Sequence, residues 1–128
     1  LIVSSMTAWT PYPTMSLYGS TKVALKSFAQ SLWYELREHN VTVTTIFPGA
    51  VDTPLYNLSV RARKYLRAFG VMTTPEKIAS KGLCAMRRGR RRLIPGLFTK
   101  IVVTACKILP AVVILAVMKI PAVRRLLR

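Results

Sequence analysis

Negative charge is scarce in this chain. Four of its 128 residues are Asp or Glu, against twenty Lys and Arg, for a formal net charge of +16. Catalysis by paired carboxylates is therefore hard to assemble, and Asp52, with no partner carboxylate in view, reads as a loop residue. The single histidine, His39, falls at the end of an expected helix and reads as a solvated cap-region residue, not as a base or a metal ligand. The two cysteines, Cys84 and Cys106, lack CxxC or other paired spacing and read as reduced, buried thiols. The densest charge, Arg87-Arg88-Gly89-Arg90-Arg91-Arg92, has no zinc-ligand spacing, RNA-binding signature or recognition-helix pattern with it, so no nucleic acid partner is expected. The six glycines are scattered, without the G-x-G-x-x-G turn that places a dinucleotide's pyrophosphate on a helix N-terminus.

What the chain does carry is concentrated near its start. In Tyr18-Gly19-Ser20-Thr21-Lys22 a phenol and an ammonium stand four residues apart, on one face of a helix. A phenol serves as a proton donor and acceptor at a reacting oxygen when a nearby cation favours its phenolate. Upstream, Leu1-Ile2-Val3-Ser4-Ser5 reads as a buried strand running into two serines, with Ser5 thirteen residues before Tyr18. Either serine could present a hydroxyl at the strand's carboxyl end. Downstream, Val41-Thr42-Val43-Thr44-Thr45-Ile46-Phe47 is β-branched and apolar, a strand signal. It stops at Pro48-Gly49, a turn pair that lets backbone approach a ligand closely. Thr53 follows, either as a ligand-holding hydroxyl or as a turn residue before Pro54.

Together these residues resemble the short-chain dehydrogenase/reductase family over about the first hundred residues. The resemblance rests on Ser5, Tyr18-x-x-x-Lys22 with the helix behind it, and the strand ending in Pro48-Gly49 with Thr53 beyond. It implies an α/β fold, the C-terminal part of a doubly wound Rossmann-type parallel sheet. It further implies an NAD(P)-dependent oxidoreductase that interconverts a carbonyl and an alcohol. Tyr18 would be the general acid/base, Lys22 would tune it and bind the cofactor ribose, and Ser5 would orient the substrate. Tyr18, Lys22, Pro48, Gly49, Val51 and Thr53 would line the cofactor, with NADP(H) expected ahead of NAD(H). The family's glycine-rich half and its catalytic asparagine have no counterpart here. The chain is thus expected to be a piece of a longer enzyme, inactive and poorly soluble alone. The alternative is a truncated, inactive remnant that binds a membrane or a partner.

Around these motifs the sequence predicts a helix from about Ser16 to His39, capped by Ser16 or Ser20 and ended by Asn40. Ala24, Leu25, Phe28, Ala29, Leu32, Trp33 and Leu36 give it an apolar stripe near period 3.6. In the family this helix commonly pairs with its twin, so residues 16–39 are a candidate homodimer surface. Leu55 to Met72, apolar and basic side chains interleaved, is the family's mobile lid, and its Tyr56, Leu58, Tyr65, Leu66 and Phe69 suit an apolar substrate. Thr74-Pro75-Glu76 signals a helix start, and the helix is expected to run to Met86 or Arg87. A last strand is expected near Arg92-Leu93-Ile94.

Two units are expected: residues 1–100, the sheet domain, and residues 101–128, a basic, hydrophobic helical tail. In the tail the apolar run Ile108 to Met118 lies between Lys107 and Lys119. It is shorter than the roughly 20 residues that a spanning helix needs, and Pro110 and Pro121 would kink or end a helix. Basic residues flanking apolar turns suit a helix lying in the interface of an anionic leaflet. The expected location is the cytoplasmic face of a membrane, or the cytoplasm if the tail is soluble.

Overall fold

The computed structural model describes residues 1–10, 15–54 and 58–109, together with 112, 113, 116 and 119. Three short parallel strands form the central sheet: β1 (Ile2–Val3), β2 (Thr45–Ile46) and β5 (Arg92–Leu93), in the order β1-β2-β5. The register pairs Val3 with Ile46 and Ile46 with Leu93. A second parallel pair joins β3 (Ala50–Val51) to β4 (Met72–Thr73). Among the described residues there are four α-helices, α1 (Ser16–Glu35), α2 (Val60–Ala68) and α3 (Pro75–Arg87) between strands and α4 (Leu97–Ile108) after β5. The result is the expected α/β architecture with parallel strands. The pairing of β3 with β4 has no separate signal in the sequence.

A helix approaches the sheet on each face, although Leu1 and Val3 remain exposed. Alternate residues of a strand point to opposite sides. On one side the Ser4 hydroxyl donates to the Lys22 carbonyl of α1 at 2.9 Å. Thr45 and Phe47 line a small void on this side with Lys26, Ala29 and Gln30 of the same helix. On the other side α3 approaches through Gly82, where a Cβ would meet Ile46 at 3.3 Å and Leu1 at 3.4 Å. The core is correspondingly small: Ala29, Val43, Ile46, Phe47, Met72, Ala85 and Val103 are its main apolar members.

The helix of the Tyr18-Lys22 motif departs from expectation at both ends and in its stripe. Its N-cap position is Met15, with no side-chain cap, and the Ser20 hydroxyl instead donates back to the Ser16 carbonyl at 2.9 Å. The helix ends at Glu35 rather than His39. A 3-10 turn, Arg37–His39, takes over, and Asn40 closes it in the left-handed region at φ 56°. This is a conformation that Asn tolerates better than most residues. Leu25, Ala29, Leu32, Trp33 and Leu36 turn inward, but Ala24 and Phe28 of the expected stripe are exposed. An apolar band wider than one sheet contact leaves its flank in solvent.

The start of α3 matches its sequence signals. Thr74 accepts from the Lys77 amide at 3.4 Å, Pro75 opens the helix, and the helix ends at Arg87. In the lid segment Ser59 caps α2 by accepting from the Ala62 amide at 3.3 Å. Tyr56 lies outside the described residues, as do Pro110, Pro121 and much of the Ile108–Met118 run. Helix α4 begins before residue 101 and sinks Thr99 and Val103 into the body. Among the described residues, no helix is long and apolar enough to cross a membrane.

Candidate active site

The site is framed by the carboxyl ends of β1 and β2. The chain leaves β1 through Ser4 and Ser5, and the Met6 amide donates to the Pro48 carbonyl at 2.8 Å, tying that exit to the Pro48-Gly49 turn. Ser5 caps a 3-10 turn, Met6–Ala8, accepting from the Thr7 amide at 3.2 Å. That bond uses an acceptor lone pair of its hydroxyl. The Ser4 hydroxyl is committed to the Lys22 carbonyl. Of the two serines, Ser5 is the one whose hydroxyl still has its hydrogen to donate.

Helix α1 brings Tyr18 and Lys22 to the same place. Ser4 holds it at Lys22, and Gly19 lies beside the Thr7 carbonyl, where an added Cβ would make an ordinary contact at 3.8 Å. The Lys22 Nζ lies 5.4 Å from the centroid of the Tyr18 ring, within the range of cation–π attraction. Tyr18 as a residue is 44% exposed. Short bonds thus tie together the segments that carry Ser5, Lys22 and Pro48, at the end of the strands where open parallel sheets bind ligands.

Gly49, Val51 and Thr53 follow the turn. A Cβ on Gly49 would collide with the Thr99 side chain, so α4 packs against the turn itself. Val51 belongs to β3, and the half-buried Thr53 hydroxyl turns back to the Val51 carbonyl at 3.5 Å. Asp52 is more than a loop residue. Its carboxylate holds Arg63 at 3.2 Å and Arg67 at 3.4 Å, both on α2, while its amide donates to the Thr73 carbonyl. It therefore fastens α2 to β3 and β4. Thr99 and Asp52 escaped the sequence reading because their roles depend on contacts distant in the chain.

Behind the site the positive charges crowd together. Lys26, Arg92 and Lys107 approach the Trp9 ring at 4.2, 5.7 and 3.8 Å from its centroid, and Phe47 makes a T-shaped contact with it at 5.3 Å. The Lys26 ammonium also donates to the Ala8 carbonyl at 2.8 Å. Burial, and then the charges of Lys107 and Arg92, hold the Lys26 pKa below its usual value. Burial pushes the Cys106 thiol up. No group of three or more His, Cys, Asp or Glu that could hold a metal occurs among the described residues.

Comparison with known proteins identifies the family. Residues 1–64 match the short chain dehydrogenase family model. The chain is 43% identical over 53 residues to an uncharacterized oxidoreductase of Staphylococcus epidermidis, a match covering 41% of this chain and 23% of that protein. It is 32% identical over 95 residues to the hydroxysteroid 11-beta-dehydrogenase 1-like protein of Gallus gallus, covering 73% of this chain and 31% of that one. A crystal structure of a short chain dehydrogenase from Mycobacterium paratuberculosis bound to NAD shares the fold, with a TM-score of 0.55 at 20% identity, over 72% of this chain and 41% of that one. The chain belongs to the short chain dehydrogenase family. It spans about a quarter to a third of the length of the curated relatives it matches.

Proposed function

We propose that the protein is a nicotinamide-dependent oxidoreductase that interconverts a carbonyl and an alcohol, with Ser5, Tyr18 and Lys22 as its catalytic residues. The observation that carries this reading is the Lys22 ammonium lying against the Tyr18 ring on a helix pinned by Ser4 beside Ser5. In the reducing direction the Ser5 hydroxyl donates a hydrogen bond to the substrate oxygen and holds it near Tyr18. The cofactor, when bound, supplies the hydride to the carbonyl carbon. The Tyr18 hydroxyl gives its proton to the oxygen as negative charge develops there, forming the alcohol. Lys22 stabilises the charge left on Tyr18 and reaches the cofactor ribose. Pro48, Gly49 and Val51 offer backbone and apolar surface to the nicotinamide, with Thr53 at its carboxamide. The excess of positive charge suits the more anionic NADP(H).

An apolar, lipid-like substrate is part of the same proposal. It is supported by the large side chains exposed on the lid segment: Leu58, Tyr65 and Phe69. Two partners are proposed with it. A membrane surface would meet residues 101–128, where Ile101, Ile108, Leu109 and Val112 are exposed near Lys100 and Lys107. This would place the protein on the cytoplasmic face of a membrane. A second copy would meet the α1 flank, where Leu17, Val23 and Phe28 are exposed.

The test is isotope transfer by the full-length protein. NADPH and NADH deuterated at the nicotinamide C4 are offered with a panel of long-chain ketones, keto-acyl thioesters and ketosteroids. Deuterium should appear at the new carbinol carbon of an apolar substrate, faster from NADPH. A protein that binds the cofactor yet transfers deuterium to no carbonyl would overturn the reading.

A further inference from the structure

A cavity of about 530 Å³ lies between the end of α2, the start of α3 and the start of α4. Neither Ser5, Tyr18 nor Lys22 lines it. Its size is within the range of small-molecule sites, about 300–1,000 Å³. One wall is apolar: Phe69, Leu97, Phe98 and Ile101, which are 78, 75, 42 and 58% exposed. The other is cationic: Arg67, Lys77 and Lys81, with no Asp or Glu in the lining. Asp52 answers Arg67. Lys77 and Lys81 are one turn apart on the same face of α3, a spacing at which like charges destabilise a helix. Among the described residues no ion pair engages either.

The two walls narrow the occupant. A bare anion would satisfy the ammonium groups but leave the apolar wall in water. An uncharged hydrocarbon would cover that wall and leave the two charges unanswered. The chain's own remaining C-terminal stretch, 110–128, carries Lys119, Arg124, Arg125 and Arg128 and no Asp or Glu, so it would add to the positive charge. We propose that this cavity binds a single-chain amphiphile with an anionic head. The head, a phosphate or carboxylate, meets Lys77 and Lys81, and the hydrocarbon lies along Phe69, Leu97, Phe98 and Ile101. Ser5, Tyr18 and Lys22 take no part in the site, which does not depend on the proposed chemistry, although it shares Phe69 with the segment proposed to meet the substrate.

The experiment titrates dodecyl phosphate, below its micelle concentration, into the full-length protein, with inorganic phosphate and dodecanol as comparison ligands. Saturable one-to-one binding is expected for dodecyl phosphate, about tenfold or more tighter than for either comparison, as one charge-assisted hydrogen bond provides. Lys77→Gln combined with Lys81→Gln should weaken it by about the same factor. Lys64→Gln, outside the lining, should not change it, and Tyr18→Phe should bind as the parent does, so loss of catalysis and loss of this site are read separately. The proposal is overturned by an absence of saturable binding, by equal affinity for inorganic phosphate, or by unchanged affinity in the double lysine variant. It is equally overturned if anionic vesicles bind parent and double variant alike while the monomeric amphiphile does not, which would assign the charge to a membrane surface.

Discussion

The Ser4 hydroxyl donates to the Lys22 carbonyl at 2.9 Å, across eighteen residues of chain. One part-buried bond thereby sets the distance between the strand end that carries Ser5 and the helical turn that carries Lys22. A backbone carbonyl within a helix already accepts from the amide four residues on, so this second bond is spent on position. Ser4→Ala should cost about 1 kcal/mol of stability and should weaken turnover by letting Lys22 drift. Denaturant unfolding of the full-length variant measures the first, and an unshifted midpoint would remove Ser4 from the account.

Asp52 links β3 to α2 through Arg63 and Arg67. The carboxylate side chain is 12% exposed, but Arg67 is 47% exposed, so the link is worth about 1 kcal/mol or less and is screened by salt. Its expected effect is on the lid. Asp52→Asn should raise KM for substrate, leave kcat nearly unchanged, and speed proteolysis within Val60–Ala68. Added salt should move the parent protein toward the variant. Cleavage rates equal in both proteins would count against the latch.

Gly49 is held to glycine by a collision as much as by ligand approach, because Thr99 of α4 fills the space where a Cβ would stand. Gly49→Ala should destabilise by about 1–3 kcal/mol, the usual range for overpacking. Adding Thr99→Ala should return much of that stability, since the two sites are in contact and couple. Additive losses in the double-mutant cycle would mean that the two side chains do not meet.

The start of α3 makes a pH-dependent prediction. The Glu76 carboxyl is held below its usual range by its own backbone amide and then by the Thr74 hydroxyl. A depressed carboxyl contributes stability that is present above its unfolded value and lost as pH falls through the folded one. Thr74→Ala removes the cap, at about 1 kcal/mol, and should flatten the loss of stability on acidification below the ordinary carboxylate range. Urea midpoints measured across that range for parent and variant check the sign. Parallel pH curves would show that Thr74 does not act on Glu76.

Local chemistry made part of this protein readable in advance. Thr74-Pro75-Glu76 specifies a helix start within four residues, and Tyr18 and Lys22 share a helix face by spacing alone. Signals that compete locally were decided elsewhere. Ser16 and Ser20 both have capping chemistry, yet Met15 occupies the cap position and Ser20 bonds within the helix. Phe28 belongs to the apolar stripe by period, but the helix meets Thr45 and Phe47 through Lys26, Ala29 and Gln30 and leaves Phe28 in solvent. The Asp52 latch, the pairing of β3 with β4 and the Thr99–Gly49 contact join residues far apart in the chain. No periodicity or motif encodes such pairs, so only the folded chain reveals them.

The central claim concerns one phenol hydroxyl. The full-length protein and its Tyr18→Phe variant are compared for carbonyl reduction under single turnover, with cofactor affinity measured separately by fluorescence titration. The account predicts that reduction falls by about a hundredfold or more, the contribution expected of a general acid, while cofactor affinity stays close to the parent's. Reduction at the parental rate in Tyr18→Phe would contradict it.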